Sequence, residues 1–211
     1  MNKYFLSLTI LLLLNFCNNT DVGEIIKLPE PKKEGGMPLY EALSKRQSLR
    51  NFDPSIKVSL ETLSQALWCC YGIRERTFRT VPSAKAWYNL IAYIFLEDGV
   101  YKYNPGGHVL LKIKDGDHRA LTGNQTALVT KAAVNIVFFG DMKKKTIIKE
   151  EKKKRCIYLD VGHVTMVLSL FAASNNMKGV VRGTLDADAL KEFLKLNKED
   201  YEYALAFSLG Y

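Results

Sequence analysis

Apolar residues recur along this chain with two periods, and the switches between them mark out the elements. Leu60, Leu63, Ala66, Leu67 and Cys70 fall at helical spacing after Ser59, a suitable N-cap, and Gly72 supplies the stop. A shorter turn of the same period, Leu39, Ala42 and Leu43, predicts a helix over residues 39–48. From Leu90 to Leu96 the run is β-branched and aromatic. Asp98-Gly99 turns it into Val100–Tyr103, and His108 to Ile113 read as a third strand after Asn104-Pro105-Gly106-Gly107. Residues 73–80 read as a basic loop, and a short helical piece follows Asp117 and continues through Gln125 to Lys131. Val134–Gly140 is a near-continuous apolar run, as expected of a strand covered on both faces. Residues 157–177 carry the longest helical pattern. Leu159, Gly162, Met166, Ser169 and Ala173 share one stripe and apolar residues also line the other side, so this helix is expected to be buried all round. Gly179–Gly183 is a short strand, Asp186 caps a last helix with Leu190, Phe193 and Leu194, and Ala204–Leu209 closes the chain as a strand. Helices with four or five strands, mostly antiparallel, make an α+β fold.

The patterned region, residues 39–211, suits one domain, because 211 residues at 47% hydrophobic content fill one sizeable core and are short for two. Residues 18–38 contain Pro29, Pro31, Gly35, Gly36 and Pro38 among lysines, and read as a tether or extended arm. Lys3 followed by the apolar run Tyr4–Leu14 has the layout of a signal peptide and is too short to span a bilayer, so residues 1–17 are expected to be a targeting segment. Cys17, followed by Asn18-Asn19-Thr20-Asp21, is similar to a bacterial lipoprotein signal and is the expected lipidation site, although Phe16 departs from the usual small residue. The expected location is the periplasm or cell envelope, with membrane contact only through a lipid anchor. The net charge of +8 comes largely from Lys143-Lys144-Lys145 and Lys152-Lys153-Lys154-Arg155. A local run of this kind reads as a solvated face, and without a recognised motif it gives no reason to expect nucleic-acid binding. Cys69 and Cys70 are expected in the core, and no cysteine or histidine spacing suggests a metal.

The stretch Arg46-Gln47-Ser48-Leu49-Arg50-Asn51-Phe52 carries the candidate chemistry. Two guanidiniums and a hydroxyl within five residues suit a phosphate monoester, because guanidinium forks grip phosphate oxygens bidentately. The order helix, R-x-S-x-R-x-F, helix with Trp68, then Pro82-Ser83-Ala84 resembles the FMN-dependent nitroreductase family. It looks closest to the branch with the SagB-like and thiazole/oxazole-forming oxidases, over roughly residues 36 to 211. The resemblance implies a flavoprotein with FMN as cofactor. Arg46, Gln47, Ser48 and Arg50 would hold the phosphate. Pro82, Ser83, Ala84, Lys85, Ala86 and Tyr88 would lie beside the flavin pyrimidine, and Val181, Arg182 and Gly183 would approach its N5/O4 edge, with Arg182 reaching an anion or forming an ion pair.

Relatives commonly have amides where Ala86 and Tyr88 stand, and often Gln-Asn where Thr165-Met166 stand. Many also carry a basic tail on the phosphate, a task that Arg46, Ser48 and Arg50 are expected to perform alone here. Family members are obligate homodimers with FMN sites at the interface, which implies that the helix over 157–177, beginning at Asp160-Val161-Gly162, lies at that interface. His163 is expected in the core and His108 on the strand surface. The implied activity passes hydride or electrons between a reductant, NAD(P)H or another donor, and a flat small-molecule substrate, with no side chain as general acid or base. The competing expectation is a degenerate, non-catalytic envelope protein that keeps the fold with a weakened flavin site.

Overall fold

The computed structural model describes residues 23–144 and 148–211. The expected targeting segment with Cys17, and positions 18–22 of the expected tether, lie outside the described residues.

The long apolar runs pair edge to edge into one sheet. Its strands are β1 (Ile25–Lys27), β4 (Leu90–Phe95), β5 (Gly99–Asn104), β6 (Val109–Asp115), β7 (Val134–Asp141), β8 (Lys178–Arg182) and β9 (Tyr201–Gly210). They lie in the order β1-β6-β5-β4-β7-β9-β8, and every neighbouring pair is antiparallel. Central strand β7 is buried from Val134 to Gly140, as its unbroken apolar run requires. Two helices, α2 (Leu60–Tyr71) and α4 (Glu150–Ser174), cover one face and share a core with Ile136, Phe138 and Leu110. The other face is covered by α5 (Ala187–Phe193), whose Leu190 packs with Tyr93, Phe95, Val137 and Phe139. The α+β class is as expected. Seven strands exceed the expected four or five, because the N-terminal arm contributes β1 and the glycine-flanked segment pairs as edge strand β8.

Local departures from the sequence reading have identifiable causes. Residues 73–80 form a hairpin, β2 (Ile73–Glu75) and β3 (Phe78–Arg79), tied to the end of α2. The ties run from Trp68 Nε1 to the Ile73 carbonyl at 3.1 Å and from Arg79 Nη1 to the Tyr71 carbonyl at 3.1 Å. Asp117–Lys131 divides into a 3-10 turn, Arg119–Thr122, and α3 (Thr126–Lys131), with Gly123 between them. Helix α4 begins at Glu150 and takes in most of the lysine run. Lys153 is buried and donates to the Met142 carbonyl at 2.6 Å, and Lys154 bridges Glu150 and Glu202, so the run is only partly a solvated face. Gly140 lets this helix sit close on β7, since a Cβ there would fall 2.2 Å from Ile157 Cδ1. Nor is α4 buried all round. Leu159 (55% exposed), Met166 (42%), Gly162 and His163 form an open stripe, which places His163 outside the core. By length and composition α4 could cross a membrane, but half of its apolar window is buried within this fold.

From β1 to Lys32 the arm is tied to the fold rather than a free tether, and residues 32–36 are exposed. Leu28 is 2% exposed, Ser64 Oγ donates to the Pro29 carbonyl at 2.5 Å, and Gln65 brackets Lys32. The Lys32 N–H donates to Gln65 Oε1 at 2.8 Å, and Gln65 Nε2 returns a bond to the Lys32 carbonyl at 3.0 Å. His108, at φ +49°, is half-buried beneath this arm, not free on the strand surface. Its Nε2 lies 2.7 Å from Ser64 Oγ and its Nδ1 lies 2.9 Å from the Tyr103 hydroxyl. With the Ser64 proton on Pro29, the network assigns a neutral ring that donates from Nε2 and accepts at Nδ1.

Burial holds the His108 imidazole below its ordinary value of 6.5. The unfolded ring therefore binds a proton more readily than the folded one, so stability is fully present above 6.5 and is lost as pH falls through the lowered folded value. Thermal denaturation between about pH 7.5 and about pH 5 is expected to show this loss. His108→Asn, which tolerates the left-handed backbone, should flatten the dependence in that window.

Candidate functional site

The R-x-S-x-R-x-F segment leaves α1 (Leu39–Lys45) extended, with Arg46 as C-cap, and is fixed at two points further on. The Leu49 N–H donates to the Gly179 carbonyl at 3.1 Å, tying the segment to edge strand β8. Phe52 is buried against Ala132 and Val180. Between these ties Arg50 faces a cavity of about 360 Å³, shared with Gly123, Asn124 and Gln125 and with Val180 to Thr184. The structure thus brings Arg50 together with Val181, Arg182 and Gly183. Arg46, Gln47 and Ser48 do not line this cavity.

Arg182 projects from β8 into a buried polar network. Its Nε donates to Ser208 Oγ at 2.9 Å and its Nη2 to Asn135 Oδ1 at 3.2 Å. Nη1 donates to the Thr122 carbonyl, and Nη2 also reaches Thr122 Oγ1 at 3.4 Å. Every one of these acceptors is neutral, and among the described residues no carboxylate pairs with Arg182 or with Arg50. The expected ion pair is therefore absent among them. Burial pulls the Arg182 guanidinium down to about 10, which leaves it charged at neutral pH. Gly123 makes room for it, since a Cβ there would fall 2.3 Å from Arg182 Nη1. The two glycines of the β8 segment differ in purpose. A Cβ at Gly179 would strike Phe207 and Ala172 in the core, whereas at Gly183 the nearest atom is 4.0 Å away.

The Pro82–Tyr88 turn is separate from this cavity. Ser83 Oγ donates to Asp160 Oδ2 at 2.6 Å and the Ala84 N–H donates to Asp160 Oδ1 at 3.0 Å, which bolts the turn to α4. Ser83 Oγ also accepts from the Tyr88 N–H at 3.0 Å. Both donors are thus turned inward to a buried carboxyl. Lys85, Ala86 and Tyr88 have φ of +52°, +51° and +46°, a concentration of left-handed non-glycine residues that stores backbone strain. The Tyr88 ring packs beneath the Arg79 guanidinium at 5.2 Å, and the Lys144 ammonium donates to the Tyr88 carbonyl at 3.0 Å. Below the turn, Arg79 Nε and Asn89 Oδ1 are buried and have no partner among the described residues.

The sequence reading missed Thr122, Asn135, Ser208 and the clamping role of Asp160. Asn135 and Ser208 did leave a signal, since each is a lone polar residue inside an apolar strand. Among the described residues no cluster of histidine, cysteine or carboxylate side chains could hold a metal. Burial raises the thiols of Cys69 and Cys70, which leaves them poor nucleophiles.

The chain matches the nitroreductase family over residues 43–211. It is 31% identical to a nitroreductase homologue of Methanocaldococcus jannaschii over 187 residues, 84% of this chain and 93% of that relative. A solved nitroreductase homologue from Ralstonia eutropha superposes with a TM-score of 0.82 at 31% identity, covering 91% of each chain. Another, from Exiguobacterium sibiricum and solved in complex with FMN, shares the fold at a TM-score of 0.61 and 18% identity, covering 85% of this chain and 90% of that one.

Removing the clamp should loosen the turn. Asp160→Ala leaves the Ser83 hydroxyl and Ala84 N–H unpaired, and is expected to cost about 1–3 kcal/mol in urea denaturation. Lys85→Gly relieves a left-handed residue and should raise stability by up to about 1 kcal/mol in the same measurement.

Proposed function

Because this chain belongs to the nitroreductase family, an oxidoreductase family, we propose that it is an exported FMN-dependent oxidoreductase held at the cell envelope by a lipid on Cys17. The observation that carries the cofactor assignment is one cavity with two guanidiniums, Arg50 and Arg182, and no carboxylate paired to either among the described residues. A buried cation surrounded only by neutral acceptors is costly, and an anion beside it offsets that cost. The surrounding groups suit a phosphate monoester on a polyhydroxyl chain: the Asn124 and Gln125 amides, the Thr184 hydroxyl, and Gly123 and Gly183 without side-chain bulk. The residues present therefore fit the anionic end of FMN.

In this reading Arg50 binds the phosphate directly, and Arg182 is fixed by Thr122, Asn135 and Ser208 as a rigid positive wall. Arg46, Gln47 and Ser48 stand on the same extended segment and complete the grip once a ligand orders it. Val181 and Gly183 leave the approach to the ring unobstructed. When bound, FMN supplies two-electron transfer at its N5. The turn Pro82, Ser83, Ala84, Lys85, Ala86 and Tyr88 serves the pyrimidine end, with Lys85 as the cation nearest the N1/O2 edge.

We place these two halves in a homodimer. The turn is bolted at Asp160 to the same helix whose stripe of Leu159, Gly162, His163 and Met166 is open, so pairing on that stripe brings the turn of one protomer toward the cavity of its partner. The substrate is a flat organic molecule. Export from the cytoplasm makes NAD(P)H scarce, which favours either another reductant or a SagB-like dehydrogenation with oxygen as the final acceptor.

One observation favours a second reading, a non-catalytic scaffold. The Ser83 hydroxyl and Ala84 N–H are taken by Asp160, and the resemblance implies amides at the positions that Ala86 and Met166 fill. Purified full chain is expected to be yellow, with a flavin band that dithionite bleaches. A colourless protein that takes up no added FMN sinks the cofactor assignment and leaves the scaffold. Arg50→Ala should weaken FMN binding by about tenfold or more, the loss of one charge-assisted hydrogen bond, and more than Arg46→Ala does. The dissociation constants are measured by fluorescence quenching.

A further inference from the structure

The sheet face under α5 is covered only in part. Helix α5 lies over the central strands and ends at the row of Val100 and Lys114, where the Lys114 ammonium stands 5.6 Å from the Phe193 ring. Beyond that row, two cross-strand rows continue to the sheet edge with nothing packed on them among the described residues. One runs Lys102, Leu111, Ile25; the next runs Asn104, Val109, Lys27. Ile25 is 54% exposed, and Lys27 is exposed beside it. The surface is thus an apolar strip of Ile25, Leu111 and Val109 framed by three lysines, and no carboxylate stands on these rows. The acidic residues nearby, Glu24 and Asp115, are paired with Lys112, whose side chain projects to the opposite face over Tyr101.

We infer that this outer strip is a docking face for an anionic lipid bilayer, resting on the envelope-anchor reading above. Two observations select that occupant. The described chain enters β1 at Gly23, on the same edge, six residues after Cys17. Six residues span at most about 20 Å, so an anchor at Cys17 holds this edge next to the membrane. The lysines, unopposed by carboxylates, complement anionic headgroups and would repel a second copy of the same face. An apolar strip with a basic frame adds a contact that depends on headgroup charge to the attachment that the anchor supplies.

The test uses the full chain with vesicles of phosphatidylcholine alone and of phosphatidylcholine mixed with phosphatidylglycerol. Flotation reads attachment, and acetic anhydride labelling read by mass spectrometry maps the lysines. Attachment to both compositions is expected. With phosphatidylglycerol, labelling of Lys27, Lys102 and Lys114 should fall several-fold while Lys149 and Lys152 keep their rates. The double variant Lys27→Gln, Lys102→Gln should reduce the phosphatidylglycerol-dependent part of the partition roughly 30-fold, equivalent to about 1 kcal/mol per lysine. Labelling that is equal in the two compositions, or protection that falls on Lys149 and Lys152, overturns the docking face and leaves the anchor standing. No flotation with either lipid removes the anchor reading, and the docking face with it. Protection of Lys27 and Lys102 that grows with protein concentration in the absence of lipid overturns the proposal in favour of a second copy.

Discussion

The Arg182 guanidinium sits inside this protein with four hydrogen bonds and no counter-charge among the described residues, and much of the surrounding architecture follows from that. A cation removed from water needs its N–H groups matched, because each unmatched donor in a low-dielectric interior costs more than an ordinary hydrogen bond returns, and four of the five have partners here. Three elements supply the match. Asn135 comes from the central strand, Ser208 from its neighbour, and Thr122 from the 3-10 turn across the edge. Each acceptor is itself fixed: Asn135 Nδ2 donates to the Val129 carbonyl at 2.8 Å, Ser208 Oγ donates to Asn135 Oδ1 at 2.5 Å, and Thr122 Oγ1 donates to the Arg119 carbonyl at 2.7 Å. The 3-10 turn is anchored in turn by the Arg119–Asp117 pair at 2.7 Å. The floor of the cavity is therefore rigid before anything enters it, and its positive charge is built into the fold rather than borrowed from mobile surface side chains.

How much of this was legible in the sequence depended on whether the cause was local. Helix α2 was read with its Ser59 cap and Gly72 stop because capping and amphipathic spacing act within a few residues, and the Ser59 hydroxyl does accept from the Thr62 N–H at 3.2 Å. The central strand was read from its unbroken apolar run. Strand β1 was not, since it has only two apolar residues, Ile25 and Ile26, among prolines and glycines, and its partner lies more than eighty positions away. The open stripe of α4 was mistaken for core because composition reports apolarity and not what covers it. His163 fell to the same error. His108 failed for the opposite reason: its partners Ser64 and Tyr103 come from a helix and a strand that only the fold brings together.

The candidate site divides the same way. Of the R-x-S-x-R residues, Arg50 lies at the cavity, because Leu49 is tied to β8 and Phe52 two positions later is a buried anchor. Arg46 and Ser48 share the motif but do not line the cavity: Arg46 is still the C-cap of α1, and the segment is tied to β8 only from Leu49. The Pro82-Ser83-Ala84 turn has a motif in the sequence, but the bond of its Ser83 hydroxyl and Ala84 N–H to Asp160 has none. Spacing can show that a turn exists. It cannot show which buried carboxyl, more than seventy residues on, has claimed its donors.

That claim couples two surfaces. Asp160 holds the strained turn from within α4, while the adjacent positions Leu159, Gly162 and His163 present the open side of the same helical turn. Whatever covers that stripe acts on the turn through one rigid segment of helix, and whatever settles on the turn acts back on the cover. By thermodynamic linkage the two occupancies strengthen or weaken each other by the same factor. In the proposed homodimer, positive coupling would let dilution release a guest from the turn without any competitor, and saturation with the guest would lower the concentration at which the protomers separate.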